Sequence, residues 1–221
     1  DRSVSRGLGD VYKRQMYHCP LKAKQSGGYD VVMASGMLGY LLPQKIGDTE
    51  QKYIAELADE KLWTDCVASI ESSLMTFVRH GIDLKVKEYM FTLMLADPSS
   101  PYSVMNDGYC GDGGIPGYIF GSLVPSETTK TRIPVVLAHE TNHNVRFQYI
   151  KWSNEISLAE YMICEGLAEN FAVKLYGEEN LGPWVSKTDQ EMLNEYIKPL
   201  IQDALEAVSY THLRAHETLS D

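Results

Sequence analysis

The 221-residue chain has no cluster of lysine or arginine; 20 basic side chains face 30 acidic ones, for a formal charge of −10. Phosphate backbones and anionic headgroups select for basic clusters, so this balance excludes a nucleic-acid partner and a charged-membrane partner and leaves peptides, proteins or small molecules. Cysteine is scarce. Cys19, Cys66, Cys110 and Cys164 lie far apart with no C-x-x-C pair, which excludes a cysteine-rich zinc knuckle and a dithiol redox motif and leaves reduced, mostly buried thiols. No run reaches the roughly 18 apolar residues of a spanning helix. The stretch Asp30 to Pro43 (DVVMASGMLGYLLP) is too short and too far inside the chain for a signal peptide, so a cytoplasmic protein is expected. Internal repeats and low-complexity tracts are also missing.

What remains is ordinary globular composition, 44% hydrophobic and 23% charged, enough for one domain with a core. The two ends stand apart. The segment closing on Asp10-Val11-Tyr12-Lys13-Arg14-Gln15 and the one opening on Val208-Ser209-Tyr210-Thr211-His212 resemble translated sequencing-adapter read-through. The expected division is therefore residues 1–15 and 208–221 as non-native flanks around one domain at 16–207. On that reading His212 and His216, though four apart, are not a ligand pair.

Between Asp48 and His80 the apolar positions recur at spacings of three and four, which predicts amphipathic helix in two pieces. Lys85 to Leu95 is rich in β-prone residues and ends at Asp97-Pro98, which predicts a strand and a turn. A loop then carries Asn106-Asp107-Gly108, and Tyr118 to Val124 reads as a strand behind a flexible glycine-rich approach. That approach serves either as a tight turn or as the rim beside which an extended substrate lies. Pro134 suits a first helical turn, so a helix is expected from Val135 to about Trp152. Ser157-Leu158-Ala159-Glu160 is a capping box that starts a second helix, stopped by Gly177. Thr188-Asp189-Gln190-Glu191 starts a third, interrupted near Pro199. The order of elements predicts an α+β fold, a small and mostly antiparallel sheet packed on helices.

The chemistry is concentrated in His139-Glu140-Thr141-Asn142-His143. Residues four apart face the same way on a helix, so two imidazoles converge on one point with Glu140 beside it. Zinc takes neutral imidazole nitrogens, a catalytic site leaves one position open for water, and a neighbouring carboxylate can accept that water's proton. With 6 His and 17 Glu, a shuffled chain of this length would show the pattern only ~0.01 times. The helix entrance, Val135 to Ala138, is also too apolar for a surface histidine pair.

Counting locates a third ligand. If the two helices form a hairpin, about 13 Å from His143 out to Trp152 is matched by about 12 Å back from Ser157 to Glu165. Gly166 would permit a close helix contact there, and Glu169, one turn on, can accept a ligand histidine's free N–H. Glu160 is explained by the capping box, Glu155 lies in the loop, and Glu178 and Glu179 follow the helix stop.

Ala138-His139-Glu140-Thr141-Asn142-His143-Asn144-Val145-Arg146, followed by Glu165-Gly166-Leu167-Ala168-Glu169, resembles the zinc-dependent proteases grouped as domain of unknown function 2268, and more distantly the gluzincin metallopeptidases. The resemblance spans about Pro134 to Phe171 and extends more loosely over Gly108 to Pro125. It implies a zincin-like fold, with His139, His143 and Glu165 as zinc ligands, Glu140 as general base and Glu169 as an acid behind the ligands. A metzincin would need a third histidine where Tyr149 stands. Arg146 can neutralise Glu169, bind a substrate carboxylate or form an ordinary salt bridge. Tyr118, Tyr161 and Tyr176 are the candidates for an oxyanion donor. The function expected is peptide-bond hydrolysis by a zinc peptidase. The alternatives are a zinc hydrolase of non-peptide amides or esters and a catalytically silent zinc-binding regulatory or chaperone-like module.

Overall fold

The apolar periodicity between Asp48 and His80 becomes two helices in the computed structural model, which describes residues 39–151 and 156–205. Helix α1 spans Asp48–Leu57 and α2 spans Glu60–Arg79. They are separate because Asp59 caps α2, its side chain accepting the Lys61 backbone N–H that a helix start leaves free. The face α2 buries is Leu62, Cys66, Ser69, Ile70 and Ser73, largely small side chains that let another helix come close.

That partner is α4, Glu127–Arg146, which follows the short α3, Pro101–Met105. It begins well before the residue expected and stops short of Trp152. The start signal is Ser126, whose hydroxyl accepts the Thr129 N–H at 3.1 Å while the Thr129 hydroxyl accepts the Ser126 N–H at 2.9 Å. Pro134 therefore sits inside the helix, where it deletes one rung of the ladder. Packing against α2 offsets that loss, with the Ser69 hydroxyl donating to the Pro134 carbonyl. Past Arg146 the backbone continues in turns, Phe147 N–H to His143 O at 2.9 Å and Ile150 N–H to Arg146 O at 3.0 Å. Trp152 and Glu155 lie outside the described residues, as do both flanks.

The sheet has three strands, β1 Met90–Leu95, β2 Tyr109–Ile115 and β3 Tyr118–Leu123, in the order β1-β3-β2. β3 is parallel to β1 and antiparallel to β2, so the sheet is mixed rather than mostly antiparallel. The cause is the chain between β1 and β3: it holds α3 and β2 and is long enough for a crossover. Lys85 to Tyr89 stays outside the sheet, because the Gln148 side-chain oxygen takes the backbone N–H groups of Lys85 and Val86 at 2.8 and 3.1 Å. The glycine-rich approach is itself a strand, β2, joined to β3 through Gly117 at φ 85°. Ile133, Val136 and Leu137 of α4 pack with Leu93, Leu95, Ile119 and Leu123 of the sheet and Leu62 and Ile70 of α2 in the main core. Each such side chain contributes roughly 1.5–3 kcal/mol on burial.

Helix α5, Leu158–Tyr176, starts and stops where expected. Ser157 and Glu160 cap it reciprocally, and Gly177 ends it at φ 94°. It runs antiparallel to α4: Cys164 lies against His143, Glu169 against His139, and Ala172 packs with Val135 and Ala138. Gly166 is not the point of close approach, since a Cβ there would meet nothing within 4 Å. Ala138 and Ala172, buried together between the two helices, take that place. The short α6, Pro183–Ser186, follows. Asp189 then caps a last helical stretch that reaches Ala204 through a π turn at Leu193–Ile197, just before Pro199. The fold is α+β, mostly helical with a small mixed sheet. Among the described residues no helix is long and apolar enough to cross a membrane.

Candidate metal centre

One turn of α4 and one turn of α5 face each other across a single point. His139 and His143 bring their Nε2 atoms to 3.0 Å from each other, and Glu165 Oε2 lies 3.4 Å from each. Both imidazoles are buried, while Glu165, with its side chain 42% exposed, stands at the solvent edge.

The far sides of the rings are held too. Glu169 Oε2 lies 3.0 Å from His139 Nδ1, so a hydrogen there would donate to the carboxylate and leave Nε2 free as a donor to an ion. Glu169 also accepts the Gly182 N–H at 2.7 Å and the Trp184 indole N–H at 3.0 Å. His143 Nδ1 instead meets Cys164 Sγ at 3.3 Å, and Phe147 stacks on that ring at 5.9 Å.

The electrostatics ask for positive charge at this point. Burial opposes a charged His139, but the carboxylates of Glu165 and Glu169 outweigh it and carry its pKa up to about 9. His143 is pushed up in the same way, with burial opposing and Cys164, Glu165 and Glu140 prevailing. Burial works against a charged Glu165 as well, yet its hydrogen bonds to the two histidines bring it down to about 2. Two nitrogens and an oxygen, all within 4.8 Å of one another, are compatible with a metal ion. The donor set fits.

Glu140 sits beside this triangle on the sheet side of α4, and the Gly113 N–H donates to its Oε2 at 2.7 Å. The contact explains the glycines of β2. A Cβ on Gly113 would lie 2.0 Å from the Glu140 carbonyl oxygen, and one on Gly111 would lie 2.4 Å from Glu140 Cγ. Burial raises the Glu140 pKa against the pull of the two histidines.

Asn144 was missed by the sequence reading. It is fully buried one turn beyond Glu140, and its amide donates to the carbonyls of Gly113, Ile115 and Tyr118 at 3.0, 2.7 and 2.9 Å while accepting the Gly117 N–H at 2.9 Å. It ties the whole β2–β3 hairpin to α4. The signal was present in the spacing: Val136, Glu140 and Asn144 form one stripe, facing a strand of glycines. Tyr102 of α3, 37% exposed, lies within reach of the charges at this site. Burial raises its pKa, with the charges of Cys110, Glu140, Tyr161 and Glu165 adding to the effect.

Other candidates go elsewhere. Arg146 exerts its charge on Glu160, and it is not among the hydrogen-bond partners of Glu169, which are His139, Gly182 and Trp184. Tyr176 packs near Ser69 and Cys66 on α2; Tyr161 is the exception, 42% exposed one turn before Glu165 on α5 and acting with it on Tyr102. Tyr118 opens β3, where its carbonyl accepts from Asn144. His80, never a candidate because it has no partner at ligand spacing, closes α2 with Nδ1 at 2.8 Å from the Thr76 carbonyl.

No solved structure matches the chain significantly. A relative in Bacillus subtilis (strain 168), "Uncharacterized protein YjfC", is 38% identical over 195 residues, 88% of this chain and 64% of its own length. The chain thus spans less than two thirds of that relative. The family model described as "Predicted Zn-dependent protease (DUF2268)" matches residues 62–216, most of the chain, and the protein belongs to that family.

Proposed function

We propose that the protein is a zincin-like metallopeptidase that binds zinc through His139, His143 and Glu165 and hydrolyses peptide bonds with Glu140 as general base. The observation that carries this reading is the donor triangle with a buried carboxylate alongside. Ligands at about 2.0–2.1 Å in a tetrahedron are about 3.3–3.4 Å from one another. The edges here are 3.0, 3.4 and 3.4 Å. Zinc bound there supplies a Lewis acid that acidifies a water and polarises a carbonyl.

The residues of the chain do the rest. Glu140, held by the Gly113 N–H, takes the proton of the attacking water and returns it to the leaving amine, so no net proton is consumed. Burial raises its pKa and so makes it a stronger base than a solvated carboxylate. Glu169 keeps the His139 ring from turning. Metal analysis of the purified chain, paired with a peptide-library digest with and without chelator, tests the proposal. One zinc per chain and chelator-sensitive cleavage are expected; a protein with neither overturns it.

Replacing Glu165 by alanine removes one of three protein ligands, and the expected result is loss of most bound zinc with the fold retained. Full zinc retention would remove Glu165 from the ligand set and overturn the proposed site, because Glu160 is held in the α5 cap and Glu169 faces Nδ1 of His139, on the far side of the ring.

The histidines also set a pH dependence. Their folded pKa values lie above the usual 6.5, about 9 for His139 and about 11 for His143, so in metal-free protein their contribution to stability is complete below about pH 6.5 and is lost as pH rises, that of His139 through about 9 and that of His143 only above it. Protons and zinc compete for the same nitrogens, so zinc has the opposite trend. Thermal melts from pH 6 to 9 should fall in chelator, and the gain in Tm on adding zinc should widen over the same interval. A zinc gain that narrows with pH contradicts histidine ligation.

A further inference from the structure

Trp184 on α6 takes no part in the hydrolytic step, yet it lies directly behind the metal ligands. Its indole N–H donates to Glu169 Oε2 at 3.0 Å, the oxygen that also faces His139 Nδ1 at 3.0 Å. Its ring meets the His139 ring edge-on, centroids 5.9 Å apart and planes at 75°. The Gly182 N–H holds the other Glu169 oxygen at 2.7 Å. Gly182 also seats the indole, because a Cβ there would lie 2.2 Å from Trp184 Cε2. The approach to this corner is anchored on α4, where Arg132 donates to the Asn180 side chain at 2.9 Å and to the Glu179 carbonyl at 3.0 Å.

We infer that Trp184 is a positioning residue for the metal centre. Through Glu169 and by direct ring contact it fixes the plane of His139, so that Nε2 points at the place shared with His143 and Glu165. The inference rests on the zinc reading of that cluster. A carboxylate gripped on both oxygens cannot swing; without the indole N–H one oxygen is held only by the imidazole it is meant to orient. Loss of such an outer partner typically weakens metal binding about 10–100-fold.

The test uses the full chain, zinc titrated against a chelating indicator, and the visible spectrum of the cobalt(II)-substituted protein. Trp184→Phe keeps an aromatic ring and deletes the N–H. Zinc affinity about 10–100-fold below wild type and displaced cobalt bands are expected, with far-ultraviolet circular dichroism unchanged. Gly182→Ala leaves the indole in the chain but pushes it off Glu169, and should shift both readouts in the same direction. A folded Trp184→Phe protein with wild-type zinc affinity and cobalt spectrum overturns the role; if that variant does not fold, the same result from Gly182→Ala does so. The zinc reading fails by different results, a wild-type protein that takes up no zinc or a Glu165→Ala protein that takes it up unchanged.

Discussion

Glu140→Gln is expected to lower peptide hydrolysis by about 10²–10⁴-fold, about 3–5 kcal/mol of barrier, while zinc content stays at the wild-type level. Glutamine has the same shape, and its side-chain oxygen can still accept the Gly113 N–H that holds Glu140 at 2.7 Å. It cannot take a proton from water. The variant therefore removes one chemical capacity and leaves ligands, packing and strand contact in place. Assay of a cleaved peptide beside metal analysis reads both halves. Turnover equal to wild type would remove Glu140 from the mechanism, and a protein with zinc but no turnover in either form would favour a silent zinc-binding module.

Asn144→Ala is expected to cost about 3–5 kcal/mol of stability, near the upper end for a single substitution. The side chain is fully buried and serves four backbone groups, those of Gly113, Ile115, Gly117 and Tyr118. Each net hydrogen bond is worth roughly 0.5–1.5 kcal/mol, and a buried group left without a partner costs more. For a domain of this size that is a fall in Tm of roughly 10 °C or more. Asn144→Asp should be no better, because a carboxylate accepts from Gly117 but sets a negative oxygen against the three carbonyls that share the two amide hydrogens. Activity should fall further than stability alone implies, since a loosened β2 also releases the Gly113 N–H from Glu140. Melts within 2 °C of wild type would show that the hairpin is held by something else.

The helices were the legible part of the chain, for a local reason. The α5 start at Ser157 and its stop at Gly177 are written in residues that act on their own backbone, and the periodicity of α2 reports its buried face directly. The start of α4 was misread because Pro134 is a plausible first-turn residue, and only packing on α2 makes it tolerable in an interior turn. The count to Glu165 nevertheless reached the right level. Although α4 ends at Arg146, turn hydrogen bonds carry the chain on to Ile150.

The strands were less legible. β2 holds Gly111, Gly113 and Gly114, residues that weaken strand propensity, and their reason is the helix backbone and Glu140 pressed against them. That is contact across 27 residues of chain, which no local pattern reports. The same holds for β1 pairing in parallel with β3 across a crossover.

By itself the sequence determined that two histidines and a glutamate share one helical turn, that a second helix starts at Ser157, and that no basic surface or C-x-x-C motif competes with them. These follow from spacing and composition, which act at short range. Tertiary structure decided that Glu169 is held by Gly182 and Trp184 rather than by Arg146, that Cys164 meets His143, and that Asn144 binds the glycine hairpin. Those pairings depend on where separate elements come to rest, which the packing of the whole core sets.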